Sequence, residues 1–229
     1  MGGISKELME ELNCETVFSF TVAGIKVNVS EAVVVTWIIM AVLILVSAIL
    51  TANLKVHNIS KRQAVAELIV TKLTGMVENM IGPKGKKYVP YLTTVLLYIG
   101  LSNTIGLFGF KAPTKDLSVT IALAFMSIML VEAAGIYERG IKGWLHKFIE
   151  PIPVVAPINL LEIVTRPLSL CMRLFGNVLG AFVIMELIKI VVPVILPAVF
   201  SCYFDIFDGL LQAYVFVFLT SLYISEAIE

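Results

Sequence analysis

Histidine, cysteine and tryptophan are all scarce in this chain. Three cysteines, Cys14, Cys171 and Cys202, are spread over 229 residues, too few and too scattered for a disulfide framework or a zinc site. Cys171 and Cys202 stand in apolar runs, where a thiol serves as a small packing residue. The two histidines, His57 and His146, fall in basic loops and read as solvated. No glycine-rich loop followed by lysine is present to cradle a phosphate, so no nucleotide and no cofactor is expected. Lys plus Arg and Asp plus Glu number 17 each, and with no basic tract there is no nucleic-acid partner. Internal repeats are missing, and with them the inverted halves of many secondary transporters. The N-terminus also lacks a short apolar segment with a basic lead and a small-residue cleavage site, so the first apolar run is expected to remain as a span.

Apolar residues are what the chain has in excess. They make up 59% of it, against about 45–50% in ordinary soluble domains, and the mean hydropathy is +0.95. Several runs are long enough to cross a hydrocarbon core of roughly 30 Å as helices. They do not alternate apolar and polar residues, which excludes a membrane barrel. The expected fold is an all-α integral membrane protein with five membrane-embedded helices, at about 32–52, 88–110, 117–137, 158–192 and 196–227. An external N-terminal segment, 1–30, precedes a single membrane domain, 31–229. Within that segment the β-type residues from Val17 to Val29, around Ala23-Gly24, suggest a small hairpin.

Charge gives the orientation. Lys55, Lys61, Arg62, Lys72, Lys84, Lys86 and Lys87 make 55–87 the most basic loop, placed inside by the positive-inside rule. Ala64, Leu68, Ile69, Leu73, Met76, Val77 and Met80 recur there at helical spacing until Gly82-Pro83. They predict an amphipathic helix at about 62–80, lying on the membrane surface or on a soluble partner. Arg139, Lys142 and Lys147 mark a second inner loop, kept irregular by Pro151, Pro153 and Pro157. Both loops put the N-terminus outside and, after five crossings, the C-terminus in the cytoplasm. Trp37 is an anchor near the outer end of the first span. The link 111–116 is turn-like, because Pro113 cannot sit in mid-helix. The run 158–192 is about 50 Å long as a helix, longer than the bilayer, so the last two helices are expected to tilt strongly. Arg166-Pro167 is the expected kink.

Polar residues inside these runs carry the functional argument. Arg173 places a guanidinium at membrane depth, at a cost of roughly 2.5–3.5 kcal/mol by insertion measurements, and the group keeps its proton throughout. At 100° per residue it shares a face with Glu162, Arg166, Ser169, Asn177 and Gly180. Glu162 and Arg166 pair at i,i+4, which leaves Arg173 without a partner on its own helix. Gly176, Gly180 and Ala181 leave room for another helix to approach. Glu186 lies roughly 140° from Arg173 on the same wheel. Asp205, Asp208 and Gln212 form a second stripe at i, i+3 and i+7. Glu132 is a further acid near the inner end of the third span. Structural alternatives stay open for each acid. Glu186 can pair with Lys189, Asp205 and Asp208 can cap the break after Pro197 or meet headgroups, and Glu132 can reach the inner interface. Asn103 reads as helix-packing glue.

The run Arg173-Leu174-Phe175-Gly176-Asn177 resembles the signature of subunit a of F-type ATP synthases. The likeness extends upstream through Pro157-Ile158-Asn159-Leu160-Leu161-Glu162 and Arg166-Pro167-Leu168-Ser169. Asn103-Thr104-Ile105-Gly106-Leu107, Pro113-Thr114-Lys115-Asp116-Leu117-Ser118 and Gln212-Ala213-Tyr214-Val215-Phe216 resemble other helices of that family, in the right order. The resemblance implies an ion-translocating stator subunit of a bacterial plasma membrane. Its partners would be the subunit c rotor ring, the peripheral-stalk subunit b, other ATP synthase subunits and the lipid bilayer. Arg173 would face the ring carboxylates and hold them ionised, with Asn177 beside it and Gln212 as its neighbour on the last helix. Glu186, Asp205 and Asp208 would line an outer half-channel and Glu132 an inner one. Phe182 departs from the family, many members of which carry Glu there; Glu186, one turn on, is the expected substitute. Whether the ion is H+ or Na+ stays open. The alternative is a stand-alone secondary transporter with a buried Arg/acid substrate site.

Overall fold

The computed structural model describes residues 16–22, 25–52, 60–108, 110–147, 156–191 and 195–228. The acidic segment through Glu15, the 53–59 stretch with Lys55 and His57, the loop bearing Pro151 and Pro153, and Pro193 lie outside them. So do the side chains of His146 and Lys189.

Two antiparallel strands open the described chain, β1 (Thr16–Val22) and β2 (Ile25–Ser30). Ser30 then starts helix α1 (Glu31–Thr51). Its hydroxyl does not cap that helix, because it donates to Asp116 Oδ2 at 2.9 Å. Twenty-one residues give about 32 Å of helix, enough for one crossing. Only Ala32, Val35 and Ile39 are buried on it. Thr36 and Tyr98 share a 3.1 Å hydrogen bond that ties it to the bundle.

Helix α2 (Lys61–Ile81) is the expected amphipathic element. Ser60 Oγ accepts from the Gln63 amide at its start. Gly82 ends it with φ +76, a conformation glycine adopts without Cβ strain, and Pro83 follows. Val77 and Ile81 are buried, with Leu73, Met76 and Met80 against the same core, whereas Val65, Leu68, Ile69 and Val70 are exposed. The C-terminal half is therefore part of the bundle, whereas the N-terminal half buries Gln63 and leaves these apolar side chains exposed.

A 3-10 turn (Pro83–Tyr88) leads into α3 (Val89–Thr104), and two more (Ile105–Phe108, Pro113–Lys115) precede α4 (Leu117–Lys147). Asp116 stops the link by accepting the Ser118 amide at 2.9 Å. Helix α4 runs about ten residues beyond the expected inner end near Tyr137. It breaks only at Gly140, φ +71, so Arg139 and Lys142 stand on helix rather than in an irregular loop. Helix α5 (Ala156–Val191) keeps Pro167 inside it. The last run, expected as one helix, has three parts: α6 (Ile195–Ser201), a π-helical segment (Cys202–Asp208) and α7 (Gly209–Ile228).

Among the described residues, five stretches are long and apolar enough to cross a membrane: Glu31–Thr51, Pro83–Phe108, Leu117–Trp144, Leu161–Ile188 and Val199–Ile228. Helix α7 is central, packed on α2, α3 and α4. Phe216, Val217 and Ile224 meet Leu92 and Ile99 of α3, Val131 of α4 and Leu170 and Leu174 of α5 in one core. Small residues set how closely helices approach. A Cβ on Gly209 would lie 2.8 Å from the Asn103 Cβ, so α3 and α7 touch backbone to side chain there.

Candidate functional site

The site is built where α3 ends and α4 begins. Asn103, at the last turn of α3, donates from Nδ2 to the Gly209 carbonyl at 3.0 Å and accepts from Thr114 Oγ1 at 2.7 Å. These bonds fix the π segment and α7 against α3 and the 113–115 turn. In doing so they hold open a cavity of about 390 Å³ against α5. Asn103 is thus the glue expected of it, and also a wall of the site.

Glu186 of α5, Asp205 and Asp208 of the π segment and Gln212 of α7 all line this cavity. The acids of two separate elements are thus brought to one cavity. A π segment binds i to i+5 and recurs at functional sites. Here it carries both aspartates. Ser201 Oγ donates to Asp205 Oδ2 at 2.5 Å. Asp205 also lies against the chain at Gly106, where an added Cβ would come within 3.0 Å of Oδ1. Gln212 is 2% exposed. Its Oε1 accepts from Asn177 Nδ2 at 2.9 Å, while its own Nε2 is buried without a hydrogen-bond partner among the described residues.

Arg173 lies apart from the cavity. It is exposed, near the middle of the 161–188 span, while Leu170, Cys171 and Leu174 turn into the core. No ion pair or hydrogen bond to it is found among the described residues. A Cβ added at Gly176 or Gly180 would meet nothing within 4 Å, so this side of α5 is open. Asn177, one turn past Arg173, connects that side to Gln212 and hence to the cavity wall.

Glu132 is also separate. It accepts from the Trp144 indole N–H at 2.7 Å, a contact made across the Gly140 break. The same end of the bundle holds Arg166, which is buried and clamps α5 to α7. Its Nη2 donates to Glu226 Oε1 at 2.6 Å and reaches Glu162 Oε2 at 3.1 Å, and its guanidinium stacks on Tyr223 at 4.9 Å. The expected Glu162 pair is present, and Glu226 supplies a second carboxylate. Nearby Arg139 donates to the Glu226 carbonyl at 3.3 Å.

Lys111, Lys115 and Ser201 were not among the residues predicted for the site, yet they line the cavity. Lys111 Nζ lies 3.4 Å from Glu31 Oε2, and Lys115 Nζ lies 4.0 Å from the centre of the Phe182 ring. Their signal was position: two cations flank a proline turn at the end of two spans. Ser201 had one as well, a hydroxyl one helical turn before an acid.

Comparison with known proteins adds the following. The family model described as ATP synthase A chain matches residues 33–225. ATP synthase subunit a 2 of Bradyrhizobium sp. is 36% identical over 207 residues, covering 88% of this chain and 90% of the relative. ATP synthase subunit a of Moorella thermoacetica is 35% identical over 206 residues, covering 89% and 93%. A subunit a of Propionigenium modestum named as sodium ion specific is 33% identical over 216 residues, covering 87% and 74%.

Proposed function

The chain belongs to the ATP synthase A chain family, and from that premise we propose that it is the ion-conducting stator whose Arg173 faces the carboxylates of a subunit c rotor ring. It is a multi-pass membrane protein and a subunit of the ATP synthase, non-catalytic by itself, with other subunits of that complex as its partners. The finer assignment rests chiefly on the cavity that gathers Glu186, Asp205, Asp208 and Gln212. Three carboxylates in an otherwise apolar bundle need water, protons or partners.

In this reading an ion enters the cavity from outside, passes between its acids and loads a ring carboxylate. After nearly a full turn it leaves through an inner half-channel, where Glu132 stands. Arg173 keeps the arriving ring site ionised, because an opposite charge close by favours the carboxylate, and it bars leakage between the half-channels. The open side of α5 at Gly176 and Gly180 accommodates a ring helix. Asn177 and Gln212 hold that side in register with the cavity. Subunit b packs on the remaining lipid-facing surface. Residues 31–229 form one membrane domain, with 1–30 external and the C-terminus in the cytoplasm of a bacterium. Support for that orientation comes from Lys87 and Glu138, which pair between the two basic segments and so put them at one end of the bundle.

Arg173→Ala tests the assignment. It is expected to leave the complex assembled, to abolish coupled ATP synthesis and to open a passive ion leak in reconstituted vesicles. Arg173→Lys should also work poorly, since an ammonium lacks the planar fork and loses its proton when desolvated. Normal ATP synthesis by Arg173→Ala would defeat the proposal.

A further inference from the structure

Helix α5 has a weak point just inward of Arg173. Pro167 stands inside it, so the turn before lacks one backbone hydrogen bond, and helices bend most readily at such places. Arg166, the residue before that proline, is 8% exposed. Its Nη2 lies 2.6 Å from Glu226 Oε1 of α7 and 3.1 Å from Glu162 Oε2, one turn back on α5. The guanidinium also stacks on the ring of Tyr223 of α7, at 4.9 Å. Arg166 therefore ties α5 to α7 at the point where α5 is freest to bend.

A second polar tie lies on the other side of Arg173, from Asn177 to Gln212. The two ties are equally spaced on both helices, from 166 to 177 on α5 and from 212 to 223 on α7, and so share one antiparallel register. That spacing turns a helix by three full turns and about 20°, so both ties leave α5 along one line. Arg173 stands between them, about 10 Å from the first and about 6 Å from the second along the axis. It lies within about 40° of their line, yet its side chain is exposed. Arg173 thus sits at the edge of the seam. Leu170 and Leu174 share the core with Phe216 and Val217 of α7, but apolar contact is non-directional and tolerates a small rotation. Buried charged pairs of defined geometry set register instead. The surface of a helix lies about 5–6 Å from its axis, so a turn of about 30° moves it by about 3 Å. A misplacement of about 1 Å can already cost a hundredfold where chemistry depends on positioning. We propose, resting on the stator reading above, that Arg166 is a positioning residue. Paired with Glu226, it holds α5 at the rotation that aims Arg173 at the ring.

The test uses whole complexes in vesicles and reads the ions pumped per ATP hydrolysed, normalised to assembled complex, together with the passive ion leak. Arg166→Met keeps an unbranched stem, and the two carboxylates it abandons are half-exposed and stay solvated. It should lower the pumping ratio at least about threefold, a modest share of what misplacement can cost, and raise the leak. Arg166→Lys should recover only part of the ratio, because an ammonium lacks the planar fork that meets two carboxylates and an aromatic face together. Glu226→Gln should act in the same direction but less, since Glu162 still holds Arg166. The double variant should be no worse than Arg166→Met alone, as expected of partners in one contact. If Arg166→Met does not assemble with subunit c, Glu226→Gln carries the test. A residue that only stabilises the subunit would give fewer complexes, each with the wild-type ratio. One that only passes ions would slow hydrolysis and pumping together, again at the wild-type ratio. Either result overturns the inference. Arg173→Ala in the same vesicles separates the two levels: retained coupling there defeats the stator reading itself, whatever Arg166 does.

Discussion

Gly209→Ala is the most informative perturbation of the bundle, because its cost can be worked from one distance. The new Cβ would sit 2.8 Å from the Asn103 Cβ, so α3 and α7 must part or Asn103 must move. Overpacking of this kind costs about 1–3 kcal/mol. Displacing Asn103 also loses its bond to the Gly209 carbonyl, about 0.5–1.5 kcal/mol net. Against this, alanine gains about 1 kcal/mol of helix propensity over glycine. The balance is a loss of about 1–3 kcal/mol, felt one turn from Gln212 and beside Asp208. Thermal denaturation of the purified complex, following this subunit, should show a lower midpoint, by about 2–4 °C per kcal/mol. Asn103→Gly removes the opposing Cβ, so the double variant should be more stable than the two single losses added together. A Gly209→Ala protein as stable as wild type, with strict additivity in the double variant, would refute the close contact.

Three further outcomes are expected. A cysteine placed at Lys84 should react with a membrane-impermeant reagent only from the cytoplasmic side, and labelling in intact cells would reverse the topology. Replacing Glu186, Asp205 or Asp208 by Leu should slow proton uptake, Glu186 and Asp205 most, and unchanged ATP-driven pumping in all three would place the path elsewhere. Asn177→Leu removes the partner of Gln212 Oε1, leaving a second buried polar atom of that side chain unpaired at about 1–3 kcal/mol. Thermal denaturation should register that loss, and a midpoint equal to wild type would show that Gln212 finds another donor.

Periodicity carried most of the fold. The five spans and the α2 pattern were legible because apolar residues recur at the helical repeat and charges mark the ends. The hairpin was visible in its β-type residues on either side of Ala23-Gly24. The inner end of α4 was misjudged because Arg139 and Lys142 look like loop residues, whereas helix propensity tolerates both and the break needs only Gly140 at φ +71. Asp205, Asp208 and Gln212 could be put on one helix face from their spacing, whereas Glu186, on another helix, was joined to them only through the family resemblance. Their meeting in a cavity with Lys111 and Lys115 could not, since that depends on the 111–116 link folding back over α5, a contact with no local signature. Glu226 was missed for a similar reason: its partner Arg166 lies 60 residues away in sequence.

The π segment at Cys202–Asp208 has an evolutionary reading. A π turn is what an α-helix becomes when it gains a residue and keeps its hydrogen-bonded ends in register, so this stretch has the form of an insertion accommodated without breaking the helix. Removing one residue, Ile206 for instance, would let the segment relax to a regular α-helix. The helix on either side would keep its register, because the π turn had absorbed the extra residue, and only side chains within the segment would change direction. Asp205 and Asp208 would become two positions apart, roughly 200° on an α-helix, so the two acids would split between two faces. The extra residue thus acts as an angular spacer, and a lineage that lost it would have to re-place its acids on other positions of the helix.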